Sequence, residues 1–368
     1  MASERQPATV RSMGAVPLDI PLRTPFGISR GVQGAAANVL VRVELADGTL
    51  GHGEAAPFPA FNAETQSGAL ALLSAAASWL PGRDAADWRA VAAELRARGG
   101  SACGSAQCAL ETALLDAVCR RDGVPLWRLF GGAGTRLETD VTVTVGTPEE
   151  ARQAARQARR RGFRIIKAKV GGAAGPGVDL DRISAILEEA PGSPLILDGN
   201  AGMDRSRARE LAGGLRARGI VPALLEQWLP KGDLDGMRAL GAETGWTVAA
   251  DEGVTTAEDA RRIARARAAH VFNIKLMKAG IAEALDVVSV ARAAGIGLMI
   301  GGNVESVLAM SASACFAAGL GGFDYADLDT PLFLASNPFE GGYALEGGRV
   351  SVAHIASGHG VRPRGLLL

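Results

Sequence analysis

Lysine is rare in this chain and is concentrated in two short stretches. The 368 residues include 39 basic side chains, of which only five are lysines: Lys167, Lys169, Lys231, Lys275 and Lys278. Two of them lie in RIIKAKV and two in NIKLMK. An arginine does not release its proton at any workable pH, whereas a lysine amine with a tuned pKa does. The lysines of these two stretches are therefore predicted to include acid–base groups.

Three carboxylates lie at corresponding places in three consecutive short stretches. Asp198 lies in PLILDGN, Glu226 in ALLEQW and Asp251 in TVAADEG. Clustered carboxylates repel one another unless a cation neutralises them. Oxygen ligands without a nearby His or Cys favour a hard ion, Mg²⁺ first and Mn²⁺ second. An ion pair with arginine is the alternative for any one of them, but a magnesium site accounts better for all three.

The elements that must position these residues are predicted from residue 139 onward. Short β-rich runs alternate there with amphipathic stretches rich in Ala, Arg and Glu, as in parallel βα units. Eight runs each have a polar residue or a glycine near their C-terminal end: Thr142, Lys169, Asp198, Glu226, Asp251, Lys275, Gly301 and Asp327. Successive members of this set lie 24 to 29 residues apart. Eight near-equal units predict a closed (β/α)₈ barrel, whose active site gathers at the C-terminal ends of the strands.

The predicted barrel places lysines on both sides of the carboxylates. Lys167 and Lys169 alternate with Ala168, so both side chains point to one face of the second strand. Lys275 lies on the sixth strand, across the barrel, and Lys278 is predicted to be a loop residue outside the pair. Near a dication an ammonium group is disfavoured, so we expect the lysine pKa to fall toward neutrality. Two opposed amines around a dication suit proton removal next to a carboxylate, an enediolate held by the metal, and proton return to the other face.

Composition excludes several classes of function. The formal net charge is zero and the pI is near 6.9, so no electrostatic attraction to nucleic acid or to an anionic membrane is predicted. The longest apolar stretches are too short to span a bilayer. The first residues contain no export signal, and the four cysteines have no CxxC spacing. A cytoplasmic enzyme acting on a small molecule is the expectation, with a homo-oligomer possible.

These motifs resemble a known family. KAK, LDGN, LEQW, ADEG and NIKLMKAGI resemble the signature of the muconate-lactonising subgroup of the enolase superfamily, and the resemblance extends from RTPFGISRG to FDYADLDTP. It implies a modified (β/α)₈ TIM-like barrel at residues 134–333, beneath an N-terminal α+β capping domain at residues 1–133. A C-terminal segment, residues 334–368, is expected to return to the capping domain.

The resemblance also assigns roles at the strand ends. Asp198, Glu226 and Asp251 are expected to bind Mg²⁺. Lys169 and Lys275 are expected to be the acid–base pair. Lys167 is expected to help hold the substrate carboxylate and to lower the pKa of Lys169. Pairing of lysine bases with Mg²⁺ is an established feature of enolase-superfamily sites.

The eighth strand distinguishes members within the subgroup. Asp327 and Asp329 lie two residues apart in ADLDTP, and two such carboxylates make a cation clamp. In dipeptide epimerases such a pair binds the free α-ammonium of the substrate, and Arg30 matches an arginine that binds a Glu side chain. By the same resemblance Thr142, Gly302 and Val304 line the dipeptide site. The expected activity is epimerisation of the C-terminal residue of L-Ala-L-Glu, as in recycling of murein peptide.

Other functions stay open at this stage. An o-succinylbenzoate synthase or an N-succinylamino-acid racemase shares the lysines and the metal, but neither substrate carries a free ammonium for Asp327 and Asp329. A muconate cycloisomerase is disfavoured for the same reason. A non-catalytic metal-binding barrel has no use for opposed bases. Trp228, where the family usually has Pro, and Asn303, where Met is common, depart from the pattern and leave the exact dipeptide open.

Overall fold

The N-terminal part of the chain folds into an antiparallel sheet with helices against it. The structure, a computed structural model, describes residues 7–28 and 31–365. The sheet has the order β1-β2-β3, with β1 (Val10–Ile28), β2 (Gly31–Leu45) and β3 (Leu50–Ala55). Five helices and a short strand follow: α1 (Pro59–Asn62), α2 (Gln66–Ala76), α3 (Trp88–Ala97), α4 (Gly104–Arg121), α5 (Leu126–Leu129) and β4 (Arg136–Glu138). The predicted α+β architecture of this part is confirmed.

Helix α4 lies very close to β3 because β3 has glycine at both contact points. A Cβ atom on Gly51 would lie 2.2 Å from the carbonyl oxygen of Ala113, and one on Gly53 would lie 1.9 Å from that of Ala109. Only glycine permits such an approach. The contact buries α4 almost along its whole length and fixes the helix that carries Asp116.

Eight parallel strands form the second sheet, each paired with the next in chain order. The strands are β5 (Val141–Val143), β6 (Ile166–Lys169), β7 (Leu195–Asp198), β8 (Leu224–Glu226), β9 (Val248–Ala250), β10 (Val271–Ile274), β11 (Gly297–Ile300) and β12 (Tyr325–Ala326). The helices that alternate with them are α6 (Pro148–Arg160), α7 (Pro176–Glu189), α8 (Arg205–Ala217), α9 (Leu234–Thr244), α10 (Ala257–Ala266), α11 (Gly280–Ala293) and α12 (Val307–Leu320). All eight predicted strands are present, and the modified barrel is confirmed.

Local sequence explains where the helices begin and end. Helix α6 starts after Thr147, whose hydroxyl accepts from the Glu150 amide while the Glu150 carboxylate accepts from Thr147, a capping box. It ends just before Gly162, whose φ of 86° favours glycine. Thr256 and Asp259 form the same capping box at α10.

The eighth βα unit differs from the prediction. Strand β12 has two residues, and it is followed by a 3₁₀ turn over Thr330–Phe333 rather than by an α-helix. Pro331 and Pro338 disfavour a continuous helix in this stretch. Through residue 365 the chain instead forms short strands: β13 (Phe339–Gly341), β14 (Ala344–Glu346), β15 (Arg349–Ser351) and β16 (Val361–Pro363).

The first and last barrel strands meet at an incomplete seam. The Asp140 amide donates to the carbonyl oxygen of Ala326 at 3.0 Å. Beyond this bond β12 has ended, and the Thr142 amide donates to Asp329 Oδ2 at 2.6 Å instead of to a backbone carbonyl. The Asp329 side chain thus replaces the backbone hydrogen bonds of a β-sheet at the seam. This bond holds Asp329 against the first barrel strand.

The C-terminal residues contact the N-terminal part through one buried carboxylate. Asp116 accepts hydrogen bonds from the backbone amides of His52 and His359 at 3.0 Å each and from Arg120 Nε at 2.8 Å. Burial acts to raise the pKa of Asp116, but His359 and Arg120 hold it below its usual range. This contact agrees with a returning C-terminal segment, while the boundaries at 133 and 333 stay predictions. No helix in the described ranges is both long and apolar enough to cross a membrane.

We predict that Asp116→Ala destabilises the protein by about 3–5 kcal/mol, because it leaves Arg120 and two buried amides without their acceptor. Urea unfolding at pH 7 measures this loss. The control is Asp181→Ala, which removes an exposed ion pair with Arg218 and costs less than about 1 kcal/mol. Equal unfolding midpoints for the two variants would contradict the role given to Asp116.

Candidate active site

Charged side chains gather at the C-terminal ends of neighbouring barrel strands. Lys169, Asp198 and Glu226 are the last residues of β6, β7 and β8, and they are register partners in that order. Asp251 follows β9 directly and Lys275 follows β10. Because the strands are parallel, these five side chains lie at one mouth of the barrel, where sequence placed them.

Ammonium groups neutralise the three predicted metal ligands. Lys169 Nζ lies 2.6 Å from Asp198 Oδ2, and Lys275 Nζ lies 2.8 Å from Asp251 Oδ2. Asp198, Glu226 and Asp251 are completely buried. An isolated buried carboxylate costs several kcal/mol, so each of them requires a positive partner.

Lys167 connects the carboxylates of the mouth with the eighth strand. Its Nζ lies 2.5 Å from Asp327 Oδ2, 3.2 Å from Asp198 Oδ2 and 3.1 Å from Glu226 Oε2. Burial acts to lower the pKa of Lys167, but these carboxylates, Asp327 foremost, raise it well above its usual value. Lys167 therefore contacts carboxylates from three different strand ends of the site.

The fall in lysine pKa expected beside a dication stays a prediction, and the protein groups around Lys275 act in the opposite direction. Burial lowers the pKa of Lys275, but the surrounding carboxylates outweigh burial, with Asp251 the largest contributor, and raise it above its usual value. The ring of Phe61 adds to this, because Lys275 Nζ lies 4.7 Å from its centroid. Both neighbours stabilise the ammonium form.

A pocket lies between these groups and the capping helices. Its walls are Phe58, Phe61, Thr142, Lys167, Lys169, Asn200, Lys275, Gly302, Asn303, Asp327 and Thr330. The pocket thus brings together both predicted bases and the predicted substrate contacts Thr142, Lys167, Gly302 and Asp327. Val304 is buried against Leu18 and Leu308 instead of in the pocket wall. Arg30 lies outside the described residues.

Several residues that orient the site were not predicted from sequence. Asn273 Nδ2 donates to Glu226 Oε1 at 2.6 Å. Gln227 Oε1 accepts from the amides of Asp251 and Gly253 at 2.9 and 3.0 Å. Asn273 could have been found, because it lies two residues before Lys275 on the same strand face. Gln227 has a φ of 37°, and no strand pattern predicts its orientation.

Lys278 supports the site from behind, as its predicted loop position suggested. Its Nζ lies 2.8 Å from Asp251 Oδ1 and donates to the carbonyl oxygens of Asp251, Val254 and Asn273. A fully bonded ammonium has no donor left for a substrate. Lys278 is therefore a positioning group for Asp251.

The two departures from the family pattern lie in different surroundings. Trp228 is buried in the barrel wall, and its indole N–H donates to the carbonyl oxygen of Leu197 at 2.8 Å. Asn303 lines the pocket, and its Nδ2 donates to the carbonyl oxygen of Ala56 in the cap at 3.0 Å. Of the two, Asn303 is thus the one placed to affect the substrate.

A second acidic cluster lies at the barrel seam. One oxygen each of Asp140, Asp327 and Asp329 lies within 4.8 Å of the other two. Asp198, Glu226 and Asp251 do not form such a three-way group in the described part of the chain, where lysine ammonium groups lie among them. Sequence predicted the clamp of Asp327 and Asp329 but not the participation of Asp140.

Comparison with known proteins defines the class of this chain. The profile of the mandelate racemase/muconate lactonizing enzyme N-terminal domain matches residues 12–131, and the enolase C-terminal domain-like profile matches residues 149–365. The chain therefore belongs to the enolase superfamily, in the mandelate racemase/muconate lactonizing enzyme family. The predictions of family, fold and an isomerase are confirmed.

Similar curated proteins are epimerases with different substrates in their names. An "aromatic dipeptide epimerase" of Herpetosiphon aurantiacus is 50% identical over 96% of this chain and 99% of its own length. A "hydrophobic dipeptide epimerase" of Citrifermentans bemidjiense is 39% identical over 94% of this chain and 95% of its own length. An "L-Ala-D/L-Glu epimerase" of Thermotoga maritima is 34% identical over 89% of this chain and 94% of its own length.

Solved structures agree with this class. A mandelate racemase/muconate lactonizing enzyme of Sorangium cellulosum superposes with a TM-score of 0.92 at 57% identity, covering 98% of this chain and 100% of that one. A dipeptide epimerase of Enterococcus faecalis, complexed with Mg and L-Leu-L-Tyr, has a TM-score of 0.90 at 28% identity, with coverages of 96% and 99%.

Glu305 is a further buried carboxyl group beside the pocket. Its Oε1 accepts from the Asn303 amide at 2.7 Å, and Oε2 has no hydrogen-bond partner among the described residues. Burial, with a smaller contribution from the neighbouring Glu54, raises the pKa of Glu305 to about 8. An unfolded glutamate titrates near 4.5. Between these values the folded state binds more protons, so the free energy of unfolding decreases as pH rises.

We predict that Glu305→Gln gains thermal stability relative to wild type as pH rises from 5 to 8, by at least about 2 °C, and levels off above pH 8. Calorimetry at several pH values measures this difference. The control is Glu243→Gln, an exposed residue whose pKa Arg209 lowers, which should show no such gain. A pH-independent difference for Glu305→Gln would contradict the assignment of a neutral carboxyl group.

Proposed function

We propose that this protein is a magnesium-dependent dipeptide epimerase that inverts the α-carbon of the C-terminal residue by 1,1-proton transfer between Lys169 and Lys275. The observation that carries the proposal is that these two lysines come from β6 and from the end of β10 and line one pocket. One acts as a base on one face of the α-carbon while the other delivers a proton to the opposite face.

Asp198, Glu226 and Asp251 are the residues that would hold Mg²⁺. They are completely buried oxygen ligands on adjacent strands, the donor set that Mg²⁺ prefers. The bound ion supplies positive charge that stabilises the carboxylate of the substrate as its α-proton leaves. Asp198 and Asp251 are also the partners of the two catalytic lysines, so the same carboxylates position both bases. The dipeptide epimerase of Enterococcus faecalis, complexed with Mg and a dipeptide, supports this arrangement.

Asp327 and Asp329 favour a substrate with a free α-ammonium. Asp327 lines the pocket, and Asp329 lies against the Thr142 amide at its side. Substrates of the synthase and of the succinylamino-acid racemase present no cation to these carboxylates. Burying the Asp329 carboxylate, which has no ion pair among the described residues, against an acyl group is unfavourable. The dipeptide names of the similar curated proteins support the same reading.

The C-terminal side chain of the substrate is expected to meet an aromatic wall. The α-carbon must lie within reach of Lys275, whose Nζ is 4.7 Å from the Phe61 ring. The substrate carboxylate would lie toward the ion that Asp198, Glu226 and Asp251 would hold, which leaves the side chain directed toward the cap. Phe61 also borders a neighbouring cavity of about 680 Å³ between cap and barrel, which gives room for a large group.

We therefore propose an aromatic or large apolar C-terminal residue rather than Glu. Similar proteins at 50% and 39% identity are named for aromatic and hydrophobic dipeptides, whereas the one named for Ala-Glu is 34% identical. No arginine lines the pocket in the part of the chain that the structure describes. The L-Ala-L-Glu substrate rests on Arg30 and stays a prediction, as do the cytoplasmic location, a role in murein peptide recycling and a homo-oligomer.

The proposed activity is tested by NMR in deuterium oxide with L-Ala-L-Phe. We predict loss of the α-proton signal of the Phe residue and appearance of the second epimer, both abolished by chelator and restored by Mg²⁺ or Mn²⁺. N-acetyl-L-Ala-L-Phe should react at least about 30-fold more slowly, because it lacks the ammonium group that Asp327 and Asp329 are proposed to bind. Full activity after exhaustive chelation would exclude the metal, and preference for N-acyl amino acids would favour the racemase or synthase.

Substrate selectivity is tested by comparing L-Ala-L-Phe with L-Ala-L-Glu at equal concentrations. We predict about ten-fold or greater preference for the Phe dipeptide, because the Phe61 ring offers a carboxylate no hydrogen-bond donor to replace its lost hydration. Phe61→Ala should reduce this preference, and Arg30→Met should leave L-Ala-L-Phe turnover unchanged. The opposite preference, with Ala-Glu turnover lost in Arg30→Met, would instead establish the substrate expected from sequence.

A further inference from the structure

The barrel seam holds a buried acidic group that the proposed reaction has not yet used. Asp140 precedes β5 and lies two residues before Thr142, so both side chains point into the barrel. Since β12 ends at Ala326, the side chains of Asp327 and Asp329 occupy the space where a longer ladder would continue. The short eighth strand therefore brings three aspartates together.

Asp140 is completely buried, and neither of its carboxylate oxygens has a hydrogen-bond partner or a cation within ion-pairing distance among the described residues. Oδ1 of Asp327 and Oδ1 of Asp329 are likewise without a hydrogen-bond partner there, and both residues are at most 5% exposed. Burial and the Asp327 charge raise the pKa of Asp140 well above its usual value. Such a cluster costs stability, and a bound cation removes that cost.

Lys167 is not that cation for the whole cluster. It lies 2.5 Å from Asp327, but its other two ion pairs are with Asp198 and Glu226 on the far side. Asp140 and Asp329 remain without an ion pair in the described ranges. The cluster therefore has a place for one more positive charge, beside a pocket that Asp327 lines.

We propose that Asp140 supplies the third oxygen of a cradle, formed with Asp327 and Asp329, that binds the free α-ammonium of the dipeptide. An ammonium group has three N–H donors, one for each carboxylate. Three oxygens that all lie within 4.8 Å of one another are close enough for one ammonium group to donate a charge-assisted hydrogen bond to each of them. The inference rests on the proposed function.

The cradle makes a prediction that two aspartates alone do not make. A primary ammonium uses all three acceptors, whereas an N-methylated dipeptide has two donors and leaves one oxygen unsatisfied. Asp140 would thereby select unmodified N-termini over methylated ones. This selection is absent if Asp140 only supports the shape of the seam.

The test compares wild type with Asp140→Asn on L-Ala-L-Phe and on propanoyl-L-Phe, the analogue that lacks only the ammonium. We expect Asp140→Asn to raise KM for L-Ala-L-Phe by about ten-fold or more, with kcat/KM for propanoyl-L-Phe changed less than about two-fold. Asp140→Asn should also reduce the difference in kcat/KM between L-Ala-L-Phe and N-methyl-L-Ala-L-Phe. The control is Asp324→Asn, the same change at an exposed residue just before β12, which should alter the turnover of neither substrate.

Thermal unfolding with and without substrate distinguishes a role of Asp140 in substrate binding from a role in the stability of the fold. Asp140→Asn should melt at or above the wild-type temperature without substrate, because it removes one carboxylate from the cluster, and should lose most of the stabilisation that L-Ala-L-Phe gives wild type. Unchanged KM, equal losses on both substrates, or a lower melting temperature would overturn the assignment. So would calorimetric binding of a second divalent ion that Asp140→Asn abolishes. Wild-type inactivity on every free dipeptide would instead defeat the proposed function itself.

Discussion

Balancing buried charge at the barrel mouth is the constraint on which the rest of this structure depends. The carboxylates of β7, β8 and β9 are completely buried, and lysines from β6 and from the end of β10 are their immediate partners. Charges in such surroundings are tolerated only when each has a partner at short distance. Removing any one group leaves others uncompensated, so the proposed acid–base groups and the proposed metal ligands depend on one another.

The scaffold shields the buried carboxylates and lysines of the barrel mouth from solvent. Phe58 and Phe61 of the capping region line the pocket, and the sheet of this region packs closely against α4 through Gly51 and Gly53. Asn303 bonds the barrel mouth to the cap at Ala56, and Asp116 joins α4 to the C-terminal residues. A site that excludes water strengthens every electrostatic interaction inside it. The strength of the electrostatic interactions in the site therefore depends on the contact between cap and barrel.

Sequence predicted the parts of the site that follow from strand periodicity. Regular spacing and same-face alternation located Lys169, Asp198 and Glu226 at adjacent strand ends. Sequence spacing could not predict features that depend on where the backbone pairing between strands ends. The seam that brings Asp140 to Asp329 exists because β12 has only two residues, and the eighth helix is missing because the chain turns at Pro331. The ion pair between Lys275 and Asp251 likewise depends on side-chain geometry that spacing does not reveal.

The central claim is that two lysines serve opposite faces of one α-carbon, and it is tested most directly with Lys169→Arg and Lys275→Arg in deuterium oxide. Arginine keeps the charge but supplies no base, so each variant should lose epimerisation by about 100-fold or more. Each should still exchange the α-proton of a single epimer, L,L for one variant and L,D for the other, as followed by NMR. Exchange of the same epimer by both variants, or epimerisation at the wild-type rate, would contradict the two-base account.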